Sequence, residues 1–276
     1  MVKHFPGSGF IKRIIKMKLR YGFPLSPVIM SLVEYEYLRK RFSQVSTFVL
    51  PCGCRTLMPK APKNMVKAII NAYSEIFIYD EYSRLPEYQV CEGDVVLDVG
   101  AFVGLYTLMV VHKAKLVVAV EPNVIASYFL KRNIQLNGLN QKVIVVNKAL
   151  ADYEGKAMLY IEDYLPSSST LFRQWHEEYG HSTSALVKVT KLDNLLADLG
   201  IENIDLMKLD VEGAELSVLR GATETLKNHV IQRVVMEIHP KICNPVRVIS
   251  FLRKHGYGID LLEKRRDTML LYSRLR

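Results

Sequence analysis

Several common sequence signatures are missing from this 276-residue chain, and each absence argues against a class of protein. No apolar run reaches 18 residues, so the sequence predicts no transmembrane helix. The four cysteines are scattered, and Cys52 and Cys54 lack both the spacing and the second pair of a zinc knuckle. The N-terminus has no signal-peptide pattern. We therefore expect a cytoplasmic protein in a reducing compartment.

Motifs of several nucleotide- and base-recognising enzymes are also missing. The chain has no Gly-x-x-x-x-Gly-Lys-Ser/Thr, which argues against a P-loop, and its glycine turn is not the Gly-x-Gly-x-x-Gly of dinucleotide enzymes. It has neither the Asn/Asp-Pro-Pro-Tyr/Phe motif nor the catalytic-cysteine motif of base methylation. Any nucleoside site in this chain is therefore expected to differ from a P-loop and from a dinucleotide-binding turn.

Acidic residues are scarce at the N-terminal end. The net charge is +9, and residues 1–60 hold eleven Lys and Arg against two acidic residues, so the rest of the chain is balanced. We predict a basic helical appendage over residues 1–70 and a catalytic domain over residues 71–276. Residues 10–20 have the pattern of a basic amphipathic helix. Such a helix can dock on the domain, lie on an acidic lipid surface such as the inner face of a membrane, or bind nucleic-acid phosphates.

The most informative stretch is residues 95–111, where a β-branched strand runs into a small-residue turn and then an apolar helix. The turn contains Asp98, Gly100, Ala101 and Gly104. Glycine lets the backbone approach a ligand, and the helix N-terminus offers unpaired N–H groups. A second predicted strand, 116–120, ends at Glu121, Pro122 and Asn123, where an acidic residue can bind a ribose. This pattern predicts a nucleoside site, although a tight turn without a ligand would look similar.

Alternating strands and helices continue to the C-terminus. Further strands are predicted at 143–146, 156–161, 205–211 and 233–238, with a closing hairpin at 257–263 and 268–273. Helices are predicted at 127–135, where Asn137-Gly138 is a typical stop, and at 215–227. The pattern predicts an α/β fold: a Rossmann-like, doubly wound, mostly parallel sheet with an antiparallel C-terminal edge strand. Residues 51–62 have the composition of a linker. The polar stretch 163–185 is typical of a lid or binding loop.

A second cluster of charged residues follows the predicted strand 205–211. Lys208, Asp210 and Glu212 alternate with apolar residues, so their side chains share one face. The next strand brings Glu237 and His239 to the same edge of the sheet. A carboxylate and an imidazole beside a crevice can act as a general base and its orienting partner. One alternative is an ion-pair network. Another is a metal-assisted site that uses Asp210 and His239, although no ligand spacing in the sequence supports a metal.

The order of these motifs resembles the FkbM family of S-adenosylmethionine-dependent methyltransferases. The resemblance runs from about residue 75 to about residue 262, and residues 1 to about 70 lie outside it. The motifs are Val-Leu-Asp-Val-Gly-Ala-Phe-Val-Gly-Leu-Tyr-Thr, Val-Glu-Pro-Asn, Asn-Gly-Leu, Asn-Lys-Ala-Leu, Lys-Leu-Asp-Val-Glu-Gly-Ala-Glu and Met-Glu-Ile-His. One departure is Phe102, where the family usually has Asn. The resemblance implies the class I methyltransferase fold.

The resemblance also implies S-adenosylmethionine as cofactor and assigns residues to its parts. Asp98, Gly100 and Gly104 are expected at the methionine end, Glu121 at the ribose hydroxyls, Asn123 with Lys148 and Ala149 near the adenine, Asp210 at the amino-acid moiety, and Tyr82 as a cover. For catalysis it favours Glu237 or His239 as the base, with Lys208 stabilising developing oxygen charge. The alternative is that Lys208, Glu212 and Glu237 only neutralise one another.

The implied reaction is O-methylation of a hydroxyl on a small molecule, a sugar or a glycan. Two alternatives remain open at this point. One is a nucleic-acid methyltransferase whose basic residues 1–60 bind phosphates, and the other is a non-catalytic scaffold attached to a membrane. The acceptor and the oligomeric state cannot be inferred from the sequence.

Overall fold

The computed structural model describes residues 46–58, 63–162, 167–173 and 182–276. The predicted helix over residues 10–20 lies outside them. The role of the basic N-terminal residues and the boundary at residue 70 therefore stay predictions.

The described strands are, in chain order, β1 (Ser46–Val49), β2 (Arg55–Met58), β3 (Val95–Val99), β4 (Leu116–Val120), β5 (Val143–Val146), β6 (Ala149–Leu150), β7 (Gly155–Glu162), β8 (Ser182–Thr190), β9 (Ile204–Leu209), β10 (Ile231–Ile238), β11 (Tyr257–Lys264) and β12 (Met269–Leu275). Seven of them form the main sheet in the order β11-β12-β10-β9-β3-β4-β5. Strands β10, β9, β3, β4 and β5 are parallel, and β12 pairs antiparallel with β10 and with β11. The predicted Rossmann-like sheet, closed at one edge by a C-terminal hairpin, is confirmed.

Helices cover both faces of this sheet. They are α1 (Lys63–Tyr73), α2 (Leu105–Val110), α3 (Val124–Leu136), α4 (Leu192–Leu199), α5 (Glu215–Arg220), α6 (Thr223–Lys227) and α7 (Pro245–Lys254). Alternate strand residues supply two apolar clusters, as the two-residue period of a strand requires. One contains Val96 and Leu206 with α1, α2 and α3, and the other contains Leu97 and Met207 with α4 to α7.

The strand register sets the position of the candidate site. Asp98 on β3 lies directly beside Lys208 on β9, and Val235 on β10 lies beside Lys208 on the other side. Because parallel strands end at the same edge, the segments after β3, β4, β9 and β10 meet there. The crevice lies where the strand order reverses, between β3 and β9.

Three local predictions were wrong. Residues 51–62 are not simply a linker, because β1 and β2 form a hairpin whose residues Phe48 and Met58 are buried in the α1–α3 cluster. The buried side chain of Asn133 holds this hairpin through the Leu57 N–H and the Thr56 hydroxyl. Strand β8 begins at Ser182, inside the predicted loop 163–185. The single helix predicted over 215–227 is divided into α5 and α6 at Gly221, which packs against Ala151.

Within the described residues, no helix combines the length and apolar character needed to cross a bilayer.

Candidate active site

A cavity of about 540 Å³ opens at the carboxyl ends of β3, β4, β9 and β10. Its wall also includes Glu75 and Ile76, which follow α1, and the turn between β11 and β12. Residues 167–169 and Leu171, from the stretch predicted as a binding loop, close another side. A ligand in this cavity would therefore touch the strand ends and three connecting segments.

The turn after β3 packs against the segment after β9 without room for a side chain. The N–H groups of Gly100 and Ala101 both donate to the Val120 carbonyl at 3.0 Å. A Cβ on Gly100 would lie 1.7 Å from the Asp210 carbonyl oxygen, and Gly100 has φ +78°. Glycine is therefore required here for both space and conformation.

Glu121, at the end of β4, is held by the backbone. Its Oε2 accepts the Phe102 N–H and its Oε1 accepts the Asn123 N–H, both at 2.8 Å. Burial raises the pKa of Glu121 to about 7, against the lowering effect of these two hydrogen bonds. A carboxylate accepts about four hydrogen bonds, so Glu121 can still accept from the two hydroxyls of a ribose.

The contact between the Phe102 N–H and Glu121 shows how the chain accommodates Phe at this position. Phe102 has φ +52°, a left-handed conformation that Asn adopts more readily than Phe. The contact to Glu121 is made by the backbone, so it does not depend on the side chain at this position. The departure from the family pattern therefore leaves the Glu121 contact intact.

Lys208 connects the turn after β3 to the segment after β9. Its ammonium donates to the Gly100 carbonyl at 2.8 Å and lies 3.4 Å from Asp98 and 3.9 Å from Asp210. It also lies 5.2 Å from the ring centroid of Tyr82, whose hydroxyl donates to Asp210 Oδ2 at 3.0 Å. Burial lowers the pKa of Lys208, but the nearby carboxylates, Asp98 and then Asp210, together outweigh it, so the pKa is raised. The ammonium is thus fixed by partners of the protein itself, an arrangement that favours positioning of the turn.

Three predicted cofactor residues lie behind the cavity wall. Asp98 has no exposed surface, and its Oδ2 accepts the Thr107 hydroxyl at 2.7 Å. Asn123 caps α3 by accepting the N–H groups of Ile125 and Ala126. Gly104 packs against Leu130. Asp98, Gly104 and Asn123 are therefore not among the residues that line the cavity, and their expected contacts with the cofactor stay predictions.

The other predicted residues do line the cavity. They are Tyr82, Gly100, Ala101, Glu121, Pro122, Lys148, Ala149, Lys208, Asp210, Glu237 and His239. Sequence reasoning missed Glu75, Glu81 and Arg265, which also line it. Arg265 belongs to the hairpin turn and pairs with Glu81 at 2.5 Å, a contact that sequence spacing cannot show. This part of the wall is therefore rich in carboxylates, two of which, Glu81 and Glu237, lie within 4.0 Å of the Arg265 guanidinium.

Glu237 is one of three cavity carboxylates, with Glu121 and Glu75, whose pKa lies near neutral pH. Burial and the neighbouring Asp210 raise its pKa to about 7, against the opposing effects of His239 and Thr268. Arg265 lies 4.0 Å away and does not neutralise it completely. Since a general base works best with a pKa near the operating pH, Glu237 is suited to accept a proton.

His239 has a carboxylate at each ring nitrogen. Nε2 lies 3.1 Å from Glu212 and Nδ1 lies 2.8 Å from the fully buried Glu215. These two carboxylates outweigh burial and raise the pKa of His239 well above its usual value. With a carboxylate at each ring nitrogen, His239 is less suited than Glu237 to take a proton from an acceptor. Lys208, Glu212 and Glu237 therefore have separate partners and do not simply neutralise one another.

Comparison with known proteins places this site in a family. A family model described as "Methyltransferase FkbM domain" matches residues 98–259, which is more than half of the chain. The chain belongs to the FkbM family of methyltransferases. This confirms the resemblance inferred from the motifs of β3, β4 and β9.

Similar proteins include two that are named methyltransferases and a segment of a much longer synthetase. Methyltransferase sdnD of Sordaria araneosa is 30% identical over 217 residues, covering 68% of this chain and 81% of its own. The 31-O-demethyl-FK506 methyltransferase FkbM of Streptomyces tacrolimicus is 26% identical over 232 residues, covering 72% and 88%. AMB antimetabolite synthetase AmbE of Pseudomonas aeruginosa is 28% identical over 236 residues, covering 72% of this chain but only 11% of its own length.

Proposed function

We propose that this FkbM-family chain is an S-adenosylmethionine-dependent O-methyltransferase acting on a hydroxyl of a small molecule, a sugar or a glycan. The observation that supports this most is the division of the cavity wall. Glu121 and the Gly100 turn lie on one side, and Glu237 lies on the other. A relative whose name specifies a 31-O-demethyl substrate supports the choice of oxygen as the acceptor atom.

The residues present fit the proposed cofactor. Glu121 retains free acceptor positions for ribose hydroxyls, and the missing Cβ at Gly100 lets the turn after β3 pack directly against the Asp210 backbone. Asp210 lines the cavity beside this turn and would adjoin the amino-acid end of the cofactor. The cofactor would supply an electrophilic methyl group on a sulfonium.

The chain's own residues would position the acceptor and remove its proton. Glu237 would accept the hydroxyl proton, and Arg265 would keep Glu81 in place at the cavity rim. Lys208 would act through Gly100 and Asp210 by fixing their positions. Proton removal by a placed base contributes typically about 10²- to 10⁴-fold to a rate.

The cofactor assignment is tested by Glu121→Ala. We expect the affinity for S-adenosylhomocysteine to fall at least about 100-fold, because two hydrogen bonds to a charged acceptor are lost. Isothermal calorimetry measures the affinity, and thermal unfolding checks that the variant is folded. Glu92→Ala, an exposed carboxylate in the turn before β3, is the matched control and should bind as the wild type does. Equal affinity in a folded Glu121→Ala protein would contradict the assignment.

The base assignment is tested by the pH dependence of Glu237→Gln. With an acceptor found by screening hydroxylated small molecules and sugars with radiolabelled cofactor, we expect wild-type kcat/KM to rise as pH increases through about 7. The rise reflects the requirement for a deprotonated base. Glu237→Gln should lower kcat about 10²- to 10⁴-fold, remove this pH dependence and keep cofactor affinity. An unchanged pH profile in the variant would assign the base elsewhere.

The anionic partner proposed for residues 1–60 also stays a proposal. It fits the charge of that segment, which exceeds the charge of the rest of the chain. Association with acidic vesicles that weakens as salt is raised would support it.

A further inference from the structure

Three cavity residues bring metal-binding atoms together. One carboxylate oxygen of Asp210, one of Glu212 and a ring nitrogen of His239 all lie within 4.8 Å of one another. The His239 Nε2 to Glu212 Oε2 distance is 3.1 Å. Adjacent ligands of a cation bound at about 2.1 Å are separated by roughly 3 Å, which is close to this distance. A cation would replace the proton shared between His239 Nε2 and Glu212, so its binding should weaken as the pH falls.

The groups behind these atoms are fixed by the fold. His239 Nδ1 is held at 2.8 Å by Glu215, which is fully buried and also accepts the Gly213 N–H at 2.9 Å. A carboxylate on the far nitrogen is the usual partner of a metal-binding histidine, because it sets the orientation of the ring. Glu212 has φ +53°, and its carbonyl accepts the Thr170 hydroxyl at 2.7 Å. The segment that carries Glu212 is therefore held by contacts to both Thr170 and Glu215.

A second observation indicates that positive charge is missing here. Asp210 Oδ1 is buried and accepts no hydrogen bond from any described residue. Burial, together with the charges of Glu237, Asp210, Glu81 and Glu212, raises the pKa of Glu75 to about 8 on the opposite wall. Lys208 is the nearest ammonium, and it is shared with Asp98 and Gly100. The carboxylates thus outnumber the cations that face them.

We propose that Asp210, Glu212 and His239 bind one divalent transition-metal cation, of the Mn²⁺ or Zn²⁺ class, at the acceptor side of the cavity. A ligand set of two carboxylates and one imidazole suits these ions better than Ca²⁺, which prefers oxygen alone. The cation would hold an acceptor oxygen beside Glu237 and so favour its ionised form. This role depends on the proposed methyltransferase function, whereas the binding of the cation does not.

The test is whether Mn²⁺ binds to the purified full chain after a chelator has removed any bound metal. Binding is measured as the loss of the electron paramagnetic resonance signal of free Mn²⁺. We expect one site per chain that Zn²⁺ displaces. Glu212→Gln should weaken binding at least about 10-fold, and Glu215→Gln should weaken it about 10- to 100-fold through the orientation of His239. Glu224→Gln, an exposed carboxylate on α6, is the control and should leave binding unchanged.

Calorimetry with S-adenosylhomocysteine on the same samples separates the two proposals and checks folding. If the cofactor product binds but Mn²⁺ does not, or binds equally to Glu212→Gln, the cation site is wrong and the methyltransferase proposal stands. If Mn²⁺ binds in a Glu212-dependent way but the cofactor product does not, the cation site stands and the methyltransferase proposal is wrong. If neither binds to a protein that unfolds cooperatively, both are wrong.

Discussion

Gly100→Ala is expected to abolish cofactor binding and to destabilise the domain by about 4 kcal/mol or more, in the range of the most severe single substitutions. The added methyl would lie 1.7 Å from the Asp210 carbonyl oxygen, which belongs to the backbone and cannot rotate away. Either the turn after β3 or the segment after β9 must move. Both carry the candidate site, so the same displacement would affect Lys208 and Asp210.

The control for this prediction is Gly93→Ala. Gly93 has φ +89°, close to the +78° of Gly100, but a Cβ there would meet no atom within 4 Å. It carries the cost of a left-handed alanine, about 1–2 kcal/mol, without the clash. Urea unfolding followed by circular dichroism gives both stabilities, and calorimetry gives the affinity for S-adenosylhomocysteine. Equal losses in the two variants would show that backbone conformation, and not close approach, explains the requirement for glycine.

Much of the sheet could be predicted because its strands are short apolar runs bounded by turns. Strand β5 and the core of β10 were located from β-branched residues, and Asn137-Gly138 marked the end of α3. The β1–β2 hairpin was missed because Pro51 and Gly53 in its turn resemble a linker locally. Its position depends on Asn133, more than 70 residues away in the chain. Such tertiary contacts are not visible in local patterns.

The candidate site was predictable to the extent that it follows strand ends. Glu121, Lys208, Asp210, Glu237 and His239 were identified because parallel strands deliver their last residues to one edge. The partners of these residues were not predictable. Asn123 was expected near the adenine, although an Asn before a helix is also the usual capping residue, and the structure shows that it caps α3. Arg265 reaches the site from the last hairpin through a contact with Glu81.

The buried charges divide into two groups with different consequences. Asp98, Lys208 and Asp210 link β3 to the segment after β9, whereas Glu212, Glu215 and His239 link that segment to the end of β10. Asp210 and Glu212 are separated by one residue, so a displacement of this short segment would affect both groups. Residues 210–212 therefore adjoin both the proposed cofactor side and the proposed acceptor side of the cavity.

Lys208→Met is the second substitution for which we expect a large effect. It leaves Asp98, which has no exposed surface, without its cation, and removes the hydrogen bond to the Gly100 carbonyl. Removing one partner of a buried ion pair costs about 3–5 kcal/mol, because the remaining charge stays buried. We therefore expect a loss of that size in the free energy of unfolding, together with weaker cofactor binding.

The double variant Asp98→Asn/Lys208→Met tests whether the uncompensated charge is the cause. Asn keeps an acceptor for the Thr107 hydroxyl but removes the charge, so the double variant should be more stable than Lys208→Met alone. Lys227→Met is the control: Lys227 pairs with Glu224 on the surface, where an ion pair contributes about 0–1 kcal/mol. Urea unfolding of the wild type, Asp98→Asn, Lys208→Met and the double variant gives the coupling energy directly. If the double variant loses as much stability as the sum of the single variants, the contribution of Lys208 comes from packing and from the Gly100 carbonyl, and not from its charge.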